Sequence, residues 1–226
     1  MDKGQDTGVL AVIAFAFSFV FPWLVVLVLI QGVSVNVKKP PHGWRLTLIL
    51  GLISGILVLL PVGGLPLARW LIGMNANFSF PLVAMAFNKA WEHATGSRVL
   101  DGKASTASWM FGLAAGLALY PMALGLGDFD PYTLGWGPSW LFGFLTAATI
   151  VFVLMKNRFA VVLIACILGY DLDLLESTNL WDYLVDPFFV LFSLAALTNR
   201  LIRRLGKAFS GRRVMDGIER ERPSTG

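Results

Sequence analysis

The chain has 226 residues, 56% of them apolar and only 14% charged, with a formal net charge of +4 and a mean hydropathy of +0.70. A water-soluble domain carries nearer 25% charge, so an ordinary globular domain is excluded, and disorder and coiled coil fail for the same reason. One cysteine, Cys166, rules out a disulfide scaffold. The composition predicts an all-α polytopic membrane protein, its length divided by the ~20 apolar residues that each crossing helix needs.

In chain order, residues 9–30 run without a charge. The segment before them holds Asp2, Lys3 and Asp6, so it lacks a basic leader, and the stretch outruns the 7–15 residues of a signal core. It is expected to be a retained helix kinked at Pro22. Further charge-free stretches follow at 46–68, 70–88, 104–127 and 131–155, each long enough to cross ~30 Å of hydrocarbon at ~1.5 Å per residue. The stretches 159–170 and 187–199 are shorter. Joining them as a re-entrant hairpin would sink five acids into the bilayer, at a cost on the order of 12–17 kcal/mol on the insertion scale, so two spans are predicted instead. The sixth span is expected to extend through Leu172, Leu174 and Leu175. The seventh has its start marked by Asp186-Pro187, an N-cap before a proline at the first helical position, and Arg200 is expected to snorkel to the headgroups at its far end.

Seven crossings within residues 1–199, with the N-terminus outside and the C-terminus in the cytoplasm, place 16 of the 18 basic residues inside and nine of the 14 acids outside. Basic residues in short loops resist translocation, which fixes that orientation and points to a bacterial type of inner cell membrane. Trp44, Trp70, Trp91, Trp109, Trp136, Trp140 and Trp181 fall at helix ends or in loops, where indole sits well between lipid and water. Trp23, inside the first helix, is the exception.

Few polar residues are candidates for function. Asp171, Asp173 and Glu176 follow the short sixth stretch, and acids at membrane depth face a cavity or a partner. With Asp128 and Asp130 they form a candidate outward site for a cation or proton, with Arg69 as counter-charge through a salt bridge to Asp128, Asp130 or the 171–186 segment. Asn77 and Ser79 are expected to make interhelical hydrogen bonds, and Lys89 and Glu92, three apart, an ion pair. Gly51-x-x-x-Gly55, Gly112-x-x-x-Gly116 and Gly143-x-x-x-Ala147 allow close helix approach, within the bundle or against another subunit. The tail, 200–226, carries Arg200, Arg203, Arg204, Lys207, Arg212 and Arg213; with Leu201, Leu205 and Phe209 at helical spacing it predicts a short interfacial helix on anionic lipid at the cytoplasmic face.

Gly125-Leu-Gly-Asp128 and Tyr170-Asp171 resemble the GxGD and YD motifs of intramembrane aspartyl proteases, in which two aspartates activate water. The order is reversed here and both aspartates stand at outer helix ends, while Gly125 and Gly127 serve equally as helix terminators before the turn at 129–132. Asp128-Phe-Asp130 spells a DxD without further metal ligands. His42 and His93 lie on the cytoplasmic side, away from any haem position, and 187–199 lacks a lysine for retinal. No cofactor, metal set or nucleic-acid-binding fold is expected; the pI of 9.4 follows from topology. The expected function is a non-enzymatic subunit or assembly partner of a membrane or envelope complex, with a membrane-protein partner or a second copy. The alternatives are a small transporter or lipid-handling protein using the acidic cluster and, third, an aspartyl hydrolase.

Overall fold

A computed structural model describes the backbone of residues 12–35 and 43–220, and the side chains of 12–33 and 43–206. Lys38, Lys39 and His42 lie outside the described residues. The chain is mostly helical, and two helices, Val12–Val33 and Leu180–Gly206, are long and apolar enough to cross a membrane. Three shorter apolar helices accompany them: Gly43–Leu59, Trp140–Leu154 and Phe159–Asp171.

The first helix is interrupted at Phe19, and α1 then runs Val20–Val35. The break sits one turn before the expected kink because Pro22 has no N–H for the carbonyl of Ser18 and its ring crowds that carbonyl. α2 (Gly43–Leu59) ends well short of residue 68. The chain turns instead through a two-residue hairpin, β1 (Pro61–Val62) against β2 (Leu65–Pro66), with Gly63 and Gly64 at φ +60° and +87°. Consecutive positive φ values are what a tight hairpin turn demands.

The stretch 70–88 is two helices, not one. α3 (Leu67–Met74) stops at Asn75, and α4 (Phe80–Thr95) starts behind Ser79 with Pro81 in its first turn. α5 (Gly102–Ala123) is capped by Asp101, whose carboxylate accepts from the Ala104 N–H at 2.8 Å. Its end is a left-handed cap at Gly125 (φ +88°), where Leu126 N–H reaches the Pro121 carbonyl, as the glycine's position suggests. Residues 131–155 divide into a 3-10 turn, Pro131–Gly135, and α6 (Trp140–Leu154).

α7 (Phe159–Asp171) does not extend through residues 172–175. Asp173 takes the left-handed conformation (φ +50°), Asp173 N–H bonds to Tyr170 O and Leu174 N–H to Gly169 O. This paired bonding closes a helix end, and aspartate is among the few non-glycine residues that tolerate it. After a short α8 (Leu180–Leu184), α9 runs unbroken from Pro187 to Arg220, so the basic tail continues the last helix and forms no separate interfacial one.

α4 runs from an acidic end, where Asp186 and Asp182 gather around its start, to a basic end, where Lys89, Arg98 and Arg158 gather around its last turns. The main core joins α4, α5, α7, α8 and α9 through Leu119, Phe159, Leu163, Tyr183 and Phe189, all at most 2% exposed. α1 and α2 add smaller apolar clusters at its side.

Candidate functional site

The acids singled out from the sequence do not converge. Asp128, Asp130, Asp171, Asp173 and Glu176 all have exposed side chains, and the described residues contain no group of three or more His, Cys, Asp or Glu placed to hold one metal ion. Arg69 makes no salt bridge to them. Its guanidinium lies over the rings of Phe15 and Phe19, 5.6 and 6.0 Å from their centroids, a cation–π seat. Asp128 and Asp171, the pair carrying the protease resemblance, are the exposed residue after the α5 cap and the exposed last residue of α7.

What occupies the acidic end is a hydrogen-bonded cap. Asn179, fully buried, donates from Nδ2 to the Tyr132 carbonyl and accepts the Trp181 N–H, each at 2.9 Å. Trp181 is buried, not interfacial, and its Nε1 donates to Pro131 O at 2.8 Å. The Tyr132 hydroxyl donates to Asp182 at 2.9 Å, and Ser177 N–H reaches Asn77 Oδ1 at 3.3 Å. Gly135 must be glycine here, because a Cβ would overlap Asn179 Oδ1.

Asp186, 2% exposed, is the central group. One carboxylate oxygen accepts Phe189 N–H at 3.0 Å and caps α9; the other accepts Ser79 N–H at 2.9 Å. One carboxylate thus joins the starts of α4 and α9, where its charge suits the positive ends of both helix dipoles. Asn77 and Ser79 therefore serve tertiary hydrogen bonds, Asn77 through its side chain and Ser79 through its backbone N–H. The two X-Pro helix starts, Asp186-Pro187 and Phe80-Pro81, are the local signal of this junction; the Ser79–Asp186 bond itself spans 107 residues.

At the basic end Glu92 holds two cations, Lys89 at 3.1 Å and Arg98 at 2.6 Å. Both pairs lie beyond the apolar part of α4. Partial burial would raise the Glu92 carboxyl, but the hydrogen bonds from Arg98 and Lys89 outweigh it and hold it below the usual carboxylate range. Arg200 is half-buried, with Nη1 donating to Thr106 Oγ1 on α5, and Arg203 Nε donates to Asn199 at 3.1 Å. Arg204 is exposed; the side chains of Lys207, Arg212 and Arg213 lie outside the described residues.

A groove of about 520 Å³ runs along α1 and α2, lined by Trp23, Thr47, Gly51, Leu52, Gly55 and Ile56 among others. Trp23 Nε1 donates to the Gly51 carbonyl at 2.8 Å, which explains an indole in mid-helix. The two glycines leave the floor low, and Leu52 and Ile56 form an exposed rim. Thr47 Oγ1 is buried on this wall with no hydrogen-bond partner among the described residues. The Gly112/Gly116 pair, in contrast, is closed within the chain against Phe189, Val190 and Ser193, while Gly143 faces open space.

No known family, curated protein or solved structure matches this chain.

Proposed function

We propose that this chain is a seven-span integral membrane protein, N-terminus outside and C-terminus cytoplasmic, that works as a non-enzymatic subunit by receiving a transmembrane helix of another protein in the α1–α2 groove. The observation that carries this reading is the open glycine face of α2, where carbons added at Gly51 and Gly55 would meet only Trp23, with the Thr47 hydroxyl on the same wall making no hydrogen bond among the described residues. In hydrocarbon an unpaired hydroxyl is costly, and membrane helices associate through small residues that permit close approach and through interhelical hydrogen bonds. Two helices long and apolar enough to cross, three shorter apolar ones, and exposed Trp44, Trp70, Trp91, Trp136 and Trp140 support the multi-pass topology. α2, α4, α6 and α7 rise only ~20–26 Å, a shortfall that local bilayer thinning accommodates. The scattered acids favour neither transport through an acidic cluster nor hydrolysis.

The test is gentle extraction from native membranes followed by native mass spectrometry. A stoichiometric heterologous protein, lost from the G55L variant, is the expected result; a monomer or homo-oligomer from native membranes refutes the reading. Topology is checked separately, by labelling single cysteines placed at residues 128 and 203 in a C166A background with a membrane-impermeant reagent. Residue 128 is expected to react from outside and residue 203 only after permeabilisation.

A further inference from the structure

A second groove, of about 320 Å³, lies between α1, α4 and α7. Its walls are apolar side chains throughout, among them Phe17, Trp23, Val83, Phe87, Val99 and Val161. It runs from Phe17 and Phe80, toward the acidic end, to Val99 and Val161 at the basic end. It offers no unsatisfied hydroxyl or amide, so it makes none of the demand on a partner helix that Thr47 makes in the other groove.

At the basic end the groove meets a cation. Arg158 Nη1 donates to the Val99 carbonyl at 2.8 Å, which ties the exposed guanidinium to a groove-lining residue and leaves most of its N–H groups free to bind. Of the basic residues around Val99, Lys89 and Arg98 both pair with Glu92, while Lys156, two residues before Arg158, is exposed. Among the described residues these are the ion pairs found, and neither includes Arg158. Phe87 and Trp91 stand together at the same level, ring centroids 5.9 Å apart, an aromatic pair of the kind that marks a membrane–water boundary.

We infer that this groove binds one anionic phospholipid, an acyl chain lying along the α1–α4–α7 walls and the phosphate seated on Arg158. The chain segment alone gives no preference, because lipid tails are as apolar as the groove and moving one out of the bilayer gains no hydrophobic free energy. Discrimination must come from the headgroup. A guanidinium binds the phosphate of any phospholipid through parallel N–H donors, but a zwitterionic headgroup brings its own cation beside that phosphate, so a basic position between membrane helices at the cytoplasmic side selects anionic headgroups. Charge complementarity therefore names the ligand class, and groove shape sets its residence.

The experiment uses the full-length chain in detergent, mixed with equal amounts of phosphatidylglycerol and phosphatidylcholine bearing identical acyl chains, with bound lipid read by native mass spectrometry. One phosphatidylglycerol per chain is expected, favoured about fivefold, the factor matching ~1 kcal/mol per basic residue near a membrane surface. R158Q keeps a donor for Val99 but no charge, and is expected to bring the ratio near one. R158K retains the preference. V161W fills the groove at a position already 66% exposed, so the core is undisturbed, and is expected to lose both lipids. Equal binding of the two lipids by the wild-type chain, a preference that survives R158Q, or a phosphatidylglycerol retained by V161W would each overturn the assignment.

Discussion

α5 and α2 carry the same small-residue spacing, Gly112-x-x-x-Gly116 and Gly51-x-x-x-Gly55, and the fold uses the two in opposite ways. On α5 the glycines are filled from within: a Cβ on Gly112 would stand 2.5 Å from the Phe189 ring and 2.6 Å from Ser193 Oγ, and one on Gly116 would overlap Val190. On α2 the nearest atoms to the same added carbons belong to Trp23, at 3.5 and 3.9 Å, and the rest of the face is open. The spacing specifies that a backbone can approach, and the neighbour decides whether it does. α9 brings Phe189, Val190 and Ser193 in register with α5, whereas α1 brings a single indole and bridges only part of the groove.

The largest effect is expected on the closed side. Gly116→Leu forces a branched side chain into Val190, and overpacking of this kind costs about 1–3 kcal/mol or more; the detergent-solubilised variant should melt well below wild type, and an unchanged Tm would mean that the seam is not closed. Next comes the anchor that holds α9 in register. Asp186→Ala leaves the Ser79 and Phe189 N–H groups without their acceptor at about 1–3 kcal/mol each, so thermal stability should fall in the order wild type, Asp186→Asn, Asp186→Ala. On the open side, Gly55→Leu should stay within about 0.5 kcal/mol of wild type, the range of surface changes, while removing the partner from native particles. An equal Tm loss at Gly55 and Gly116 would erase the contrast. The smallest effect lies at Glu92. Its folded carboxyl is held below its unfolded value, so its contribution is present above the unfolded pKa and fades as pH falls through the lowered folded one. Glu92→Gln should therefore narrow the stability difference from wild type as pH is lowered from 6 toward 3, read as the convergence of two Tm curves.

Much of the helix content is legible in the sequence, since each charge-free stretch holds a helix and Asp186-Pro187 marks the start of α9. The breaks are less so. Hydropathy does not register that Asp173 would turn left-handed and stop α7, because the leucines that follow it are as apolar as those before. The Gly63-Gly64 pair is a local signal for the hairpin that a count of uncharged residues passes over. At the candidate site, the outward acids read as a cluster only because they are close in sequence and on one side; their exposure separates them. Asp186 reads as a cap but not as a junction, since nothing local connects it to Ser79. Trp23 stands out from the sequence as a misplaced indole, and its hydrogen bond to Gly51 supplies the reason.

The unbroken α9 has a mechanical consequence. From Arg200, whose side chain bonds Thr106 on α5, to Arg220 the helix continues for 20 residues, about 30 Å of rise. A rigid rod held at one end magnifies rotation at the other: a tilt of ~10° at the seam carries the tip sideways by ~5 Å over that length. Small rearrangements beside Gly112 and Gly116 are thereby converted into displacements large enough to be felt by anything resting on the far end of the rod.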